Sequence, residues 1–172
     1  MTFLELCVNV EIVIIHPTTL KGSGFSADKI IKNTDTHMIK NTDTHTVKLI
    51  AAITNCLHPK LLKREYRQTN ANNPMYGHCY VATEALYCLM NKFSLTNTFK
   101  PFQAKDENNV SHWWLQSQDG VIIDITASQY TSVGKTPPYD RGKARVFMYP
   151  SPSKRSRNVM EAVLKKVVDE SE

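Results

Sequence analysis

The chain has 172 residues, of which 41% are hydrophobic and 22% are charged, which is long enough for one domain with a core but too short for two. The best apolar run near its N-terminus, residues 12–15, is too short for the apolar core of a secretory signal or for a membrane span. The net charge of +5 favours acidic partners only weakly.

The four cysteines are widely spaced and form no C-x-x-C pair; they are Cys7, Cys56, Cys79 and Cys88. A chain of this length does not depend on disulfides to fold. The first residues lack the basic segment and the apolar stretch of a secretory signal. The sequence therefore predicts a cytoplasmic protein with free thiols and no membrane contact.

Residues 1–74 are predicted to form a strand, a polar repeat and a helix. Apolar side chains alternate over residues 8–14, which is the period of a strand. Lys-Asn-Thr-Asp-Thr-His occurs at residues 32–37 and again at 40–45, and a surface loop or hairpin is its plainer interpretation. Apolar residues at near-helical spacing over 47–62, interrupted at Pro59, predict a helix. Residues 68–74 are polar and predict a loop.

The second half of the chain alternates helix and strand signals. Residues 80–93 repeat apolar side chains every third or fourth position, which predicts a helix. β-branched and aromatic residues predict three strands, at residues 99–104, 110–116 and 121–127. Asp119-Gly120 is a hairpin signal between the last two. Residues 145–149 predict a further strand, and Ser151-Pro152 predicts a C-terminal helix with Ser151 as its N-cap.

Cys79 follows Gly77 at the start of the helix predicted over residues 80–93. A thiol attacks as the thiolate, which the positive end of a helix and a nearby imidazolium both favour. His112 lies on a following strand and is the candidate base. Asp124 lies on the paired strand, where a carboxylate can orient the imidazole. Each residue alone is most often structural, but the three in this order favour a thiol enzyme.

The loop of the predicted hairpin decides whether the three residues can meet. A strict two-residue turn at Asp119-Gly120 would place His112 and Asp124 on opposite faces of the sheet. A three-residue loop with Gly120 in the left-handed conformation pairs Ser117 with Val121. His112 and Asp124 then share a face, one diagonal step apart. The triad therefore requires the three-residue loop or a bulge.

Other residues are candidates for binding the substrate or its oxyanion. The backbone N–H of Cys79, unpaired at a helix start, is one donor. Amide side chains near the triad in sequence are a second source, and they are Gln68, Asn72, Asn73 and Gln129. Trp113 and Trp114 occupy opposite faces of their strand, so that one is expected in the core and the other beside the substrate cleft.

Two metal sites are alternative interpretations. The repeat supplies one set of ligands, Asp35, His37, Asp43 and His45. The second set is Cys56, His58, His78 and Cys79. Neither spacing matches an established metal motif. The sequence therefore predicts no metal and no cofactor.

Residues 75–130 resemble the core of the papain-like superfamily, in particular its transglutaminase-like and NlpC/P60-like branches. The order of cysteine helix, histidine strand and aspartate strand matches, as do His112-Trp113-Trp114 and Asp124-Ile125-Thr126. Over residues 75–160 the chain is also similar to a group of small uncharacterised phage-encoded proteins. The resemblance implies that Cys79 is the nucleophile, His112 the base and Asp124 the orienting residue.

We expect a single domain over residues 1–172 with an α+β, papain-like fold, in which the nucleophile helix packs on an antiparallel sheet. Residues 1–74 carry the N-terminal strand, repeat and helix, residues 75–130 the catalytic core, and residues 131–172 a loop, a strand and the C-terminal helix. The expected activity is acyl transfer through a thioester, either hydrolysis of an amide, isopeptide or ester bond or a transglutaminase-like transfer. A protein, a peptide or a small amide is the expected substrate.

The alternative is a non-catalytic phage protein that binds a host factor or nucleic acid. Two basic clusters would make weak contact with nucleic acid: Lys60, Lys63, Arg64 and Arg67 in the first, and Lys154, Arg155 and Arg157 in the second. A phage-encoded protein of this kind would work in the host cytoplasm.

Overall fold

The computed structural model describes residues 13–15, 44–95 and 98–169, and within these ranges the protein is α+β. Its helices are α1 (Thr44–Cys56), α2 (Arg64–Asn72), α3 (Cys79–Lys92), α4 (Ser128–Thr131) and α5 (Lys154–Asp169). Its strands are β1 (Val13–Ile15), β2 (Phe99–Lys105), β3 (Ser111–Ser117), β4 (Ile122–Asp124) and β5 (Lys143–Ala144). The predicted α+β class and C-terminal helix are confirmed.

The strands form one antiparallel sheet in the order β1-β4-β3-β2-β5. Helices α1, α3 and α5 pack on one face, where Ile50, Leu86 and Val163 meet Leu115 of β3 in the main core. Trp114, the neighbour of Leu115, belongs to a smaller apolar cluster. Successive residues of a strand point to opposite faces, so His112 shares the face of Trp114, away from the helices.

The first part of the chain agrees with the predicted elements where it is described. Residues 13–15 form β1, which pairs antiparallel with β4, whereas residues 8–12 lie outside the described residues. The repeat lies outside them too, except that Thr44 and His45 begin α1. Helix α1 ends at Cys56, and Pro59 then opens a short 3₁₀ turn, Pro59–Leu61. The interruption predicted at Pro59 is therefore confirmed.

The loop predicted for residues 68–74 is wrong over most of its length, because α2 continues to Asn72. This helix is polar nearly all round, so its composition resembles that of a loop. The Asn70 side chain is buried and fixes the chain that follows, since its amide donates to the carbonyls of Pro74 and Tyr76 at 2.7 and 3.0 Å. The helix thus shapes the approach to Cys79.

The strand predicted for residues 145–149 is also wrong, since β5 comprises only Lys143–Ala144. The N–H of Arg145 still donates to the carbonyl of Pro101 on β2 at 2.9 Å. Proline has no N–H to return a bond, so the ladder stops there. The chain then turns, and Phe147 stacks on Trp113 with ring centroids 5.8 Å apart.

Helix α5 begins at Lys154, so the N-cap predicted at Ser151 is wrong. The cap is Ser153, whose hydroxyl accepts the N–H of Ser156 at 3.2 Å. A buried carboxylate on α3 fixes this start, because Oε2 of Glu84 accepts the N–H of Ser153 at 3.0 Å. Glu84 supplies the negative charge that the start of a helix favours and that the first turn of α5 lacks.

Candidate active site

Cys79 is the first residue of α3 and follows a turn at Gly77, whose φ is +81°. A hydrogen bond from Sγ of Cys79 to the carbonyl of Ser111, 3.6 Å long, ties this helix start to the beginning of β3. Among the described residues the N–H of Cys79 has no hydrogen-bond partner, as expected for the first turn of a helix. This N–H can therefore bind an anionic oxygen beside the thiol.

The hairpin between β3 and β4 has the three-residue loop that the triad requires. Gly120 has a φ of +81°, and the N–H of Ser117 donates to the carbonyl of Val121 at 2.9 Å. Further in, Leu115 pairs with Ile123, which continues the same register. The three-residue loop predicted from the sequence is therefore confirmed.

Asp124 lies behind His112 and accepts hydrogen bonds on both carboxylate oxygens. Oδ2 lies 2.6 Å from Nε2 of His112 and accepts the hydroxyl of Tyr139 at 2.8 Å. Oδ1 accepts the N–H and the hydroxyl of Thr126 at 2.9 and 3.1 Å. Because an ionised carboxylate only accepts hydrogen bonds, this contact places a hydrogen on Nε2. The imidazole is thereby held in one tautomer and one orientation.

The surroundings of His112 favour its charged form. The side chain is fully buried, and this burial by itself lowers the pKa of His112. The charge and hydrogen bond of Asp124, together with Cys79, act in the opposite direction and raise the pKa to about 10. A histidine with these neighbours holds a proton readily, which is what the partner of a thiolate must do.

Cys79 reaches His112 at one end of the sheet. There β4 has ended at Asp124, so in the described part of the chain the first residues of β3 have no ladder partner on that side. A hydrogen bond with Cys79 is among the causes that raise the pKa of His112. Since Nε2 is engaged by Asp124, Nδ1 is the nitrogen left to take the proton of the thiol.

Two of the predicted amide donors lie in the site and two do not. Gln129 is buried and its Nε2 lies 2.9 Å from Nδ1 of His112. Nδ2 of Asn73 donates to the backbone carbonyl of Gln129 at 2.7 Å, which leaves its second hydrogen for another acceptor. Gln68 and Asn72 are exposed on α2. The oxyanion roles of Asn73 and Gln129 stay predictions.

Both tryptophans are buried, on opposite faces of β3. Trp113 packs edge-on against Tyr80 of α3 at 5.2 Å between ring centroids. Trp114 stacks beside His112 at 5.7 Å and supports the imidazole from behind. Contact of either indole with a substrate stays a prediction.

Three residues of the site carry no clear signal in the sequence. Tyr139 binds Asp124 from a 3₁₀ turn, Tyr139–Arg141, in a region that only suggests a loop. Tyr130 lies edge-on to His112 at 4.9 Å and donates its hydroxyl to Asp106. Ser111 contributes a backbone carbonyl, which side-chain patterns cannot reveal. Of the three, only Tyr130 lies close in sequence to a recognised motif, since it follows Gln129 and the segment that ends at Thr126.

The structure does not support the second metal set. Within the described ranges no three side chains of His, Cys, Asp or Glu are placed to hold a metal ion. His78 is fully buried, and neither of its ring nitrogens has a hydrogen-bond partner among the described residues, whereas His58 is exposed. Of the first set, Asp35, His37 and Asp43 lie outside the described residues.

His78 is expected to make the protein acid-sensitive. Burial, with lesser contributions from His58 and Arg155, lowers its pKa to about 4. Below pH 6.5 the unfolded chain takes a proton that folded His78 refuses, so stability falls from pH 6.5 to 4, by about 3 kcal/mol at most. In His78→Leu this loss should shrink, and pH-dependent urea unfolding measures it. His45→Gln, at an exposed position on α1, is the control. An equal loss of stability between pH 6.5 and 4 in wild type and in His78→Leu would contradict the prediction.

The two basic clusters come together, although they are far apart in the chain. Arg155 donates to the carbonyl of Leu61 at 3.3 Å, which joins the start of α5 to the 3₁₀ turn after α1. Contact of this surface with nucleic acid stays a prediction. In the described part of the chain, no helix has both the length and the apolar character needed to cross a membrane.

Comparisons with protein-family models, with curated proteins and with solved structures give no match for this chain. The geometry of the site is therefore the ground for assigning a function.

Proposed function

We propose that the protein is a cysteine-dependent acyl-transfer enzyme in which Cys79 is the nucleophile, His112 the base and Asp124 the orienting residue. One observation carries the proposal. The buried 2.6 Å contact between His112 and Asp124 stands beside a thiol at a helix start, and the three-residue hairpin loop needed for that contact is present. Three groups in a fixed relation of this kind are the requirement for an activated thiol.

The first step transfers the thiol proton from Cys79 to Nδ1 of His112. Asp124 favours the resulting imidazolium, and the helix start favours the thiolate. Sulfur then adds to the carbonyl carbon of an amide, isopeptide or ester, and the carbonyl oxygen becomes an oxyanion. We assign the binding of that oxygen to the N–H of Cys79, which has no hydrogen-bond partner among the described residues.

The second half returns the proton. The leaving amine or alcohol departs with the proton from Nδ1, and the acyl group stays on sulfur as a thioester. Water loses a proton to Nδ1 and attacks the thioester. The bond between carbon and sulfur then breaks, and the proton passes from Nδ1 to sulfur, which frees the acid and restores the thiol. An amine in place of water gives transfer, as in the transglutaminase-like branch. Water is always present, so we assign hydrolysis as the main reaction.

The proposed fold family and location follow from the same residues. The order of cysteine helix, histidine strand and aspartate strand on α3, β3 and β4 supports a papain-like core. Cys56, Cys79 and Cys88 are free thiols, which suits a reducing cytoplasm. The catalytic cycle assigned here uses side chains and backbone only, with a protein, a peptide or a small amide as substrate.

Selective alkylation tests the proposal without a known substrate. With dilute iodoacetamide at pH 6 to 7, Cys79 should react at least about tenfold faster than Cys56 and Cys88. Burial raises the pKa of Cys56, and it raises the pKa of Cys88 to about 11, so both are internal controls. Peptide mass spectrometry measures each rate.

In the same experiment, His112→Ala should lower the alkylation rate of Cys79 to that of Cys56 and Cys88. The function as proposed is wrong if native Cys79 reacts no faster than the two controls, or if His112→Ala leaves its rate unchanged.

A further inference from the structure

Gln129 contacts the one nitrogen of His112 that the proposed reaction needs. Its amide Nε2 lies 2.9 Å from Nδ1, and the same nitrogen donates to the carbonyl of Thr126 at 3.1 Å. Its backbone carbonyl accepts the amide of Asn73 at 2.7 Å. Only 7% of Gln129 is exposed. Thr126 therefore holds the side-chain amide and Asn73 holds the backbone of the same residue, so that an N–H of the amide faces Nδ1.

An amide N–H can donate to Nδ1 only when that nitrogen carries a lone pair. Because Nε2–H is directed at Asp124, the hydrogen bond from Gln129 to Nδ1 forms only with the neutral ring and opposes the protonation that Asp124 favours. In its protonated form the thiol of Cys79 also has an acceptor other than His112, because Sγ lies 3.6 Å from the carbonyl of Ser111. The hydrogen bonds of Gln129 and of the Ser111 carbonyl thus both favour a protonated thiol beside a neutral base, against the effect of Asp124.

Two neighbours of His112 consequently act in opposite directions. Asp124 stabilises the imidazolium, while the N–H of Gln129 stabilises the neutral ring and occupies the position that the thiol proton must take. The proton cannot move to Nδ1 until this N–H has left it.

We propose that Gln129 is a positioning residue that restrains the base, because its N–H favours neutral His112 and so opposes transfer of the thiol proton until the amide is displaced. This inference rests on the proposed function. It differs from an oxyanion role, because the residue acts through Nδ1 of His112 and its effect exists before any substrate binds.

Replacing Gln129 by methionine removes the amide at nearly constant length. Loss of one hydrogen bond to the neutral ring should raise the alkylation rate of Cys79 at pH 6 about tenfold, with its pH profile shifted about one unit to lower pH. The thiolate absorbance near 240 nm, taken as the difference from Cys79→Ala, should shift equally. Gln129→Leu is the second variant should the methionine protein not fold, and Gln118→Met, at an exposed position of the hairpin loop, is the matched control.

A double-mutant cycle shows whether the effect passes through the base. In a His112→Ala background, Gln129→Met should leave the Cys79 rate unchanged, because the group it acts on is gone. The proposal is overturned if Gln129→Met leaves the profile in place, moves it to higher pH, or acts equally without His112. The proposed function fails separately, when wild-type Cys79 reacts no faster than Cys56 and Cys88.

Discussion

Asp124→Ala is expected to lower the alkylation rate of Cys79 at pH 7 about 100-fold and the free energy of unfolding by about 3 to 5 kcal/mol. The reactivity falls because the imidazole loses the charge that supports its protonated form. The stability falls because Nε2 of His112, fully buried and 2.6 Å from the carboxylate, is left without an acceptor. Peptide-level alkylation and urea unfolding measure the two effects.

The loss of stability should depend on pH in a definite direction. The pKa of His112 is raised in the folded protein, to about 10. A raised histidine pKa contributes stability that is fully present below the unfolded value of about 6.5 and is lost as pH rises toward the folded value. Wild type should therefore weaken from pH 6.5 to 10, and Asp124→Ala should weaken much less over that range.

Tyr139→Phe is the matched control for this substitution. It removes one hydrogen bond to the same carboxylate, 2.8 Å long, and leaves the contact with His112 in place. The free energy of unfolding should fall by about 1 kcal/mol, and the alkylation rate of Cys79 should change little. If Asp124→Ala resembled Tyr139→Phe in both measurements, the carboxylate would not be orienting the base.

Local rules were sufficient to predict the central geometry of the site. Asp119-Gly120 marks a hairpin. Because side chains alternate along a strand, a loop of two residues and a loop of three residues place Asp124 on different faces of the sheet. The requirement that His112 and Asp124 meet selected the three-residue loop, and Gly120 has the positive φ that this loop needs. A single chemical constraint therefore determined the register of two strands.

The parts that sequence reasoning missed depend on contacts between distant segments. Helix α2 has the composition of a loop, and only its position beside Gly77 and the hydrogen bonds of Asn70 show its role. Tyr139 reaches Asp124 from a later turn, and Glu84 sets the start of α5. No periodic pattern encodes such pairings, because they depend on how separate elements pack.

Gly142→Ala is expected to lower the free energy of unfolding by about 3 kcal/mol or more. Gly142 has an ordinary φ of −63°, so the effect is one of space. A Cβ at this position would lie 2.3 Å from Cζ2 of Trp114 and 3.1 Å from the carbonyl of Tyr139. Trp114 is fully buried between Phe102, His112 and Tyr139 and cannot move without displacing one of them. Thermal or urea unfolding measures the loss.

The same substitution should also slow the alkylation of Cys79, since an indole pushed aside at 5.7 Å from the imidazole misaligns the base. Gly134→Ala separates this effect from the ordinary cost of replacing a glycine. Gly134 has a φ of +71°, and no atom of the described residues lies within 4 Å of the added carbon, so backbone strain alone should cost about 1 kcal/mol. Its alkylation rate should match wild type. Equal losses in the two variants would mean that Trp114 has room to yield, and that the close approach of Gly142 does not hold the base in place.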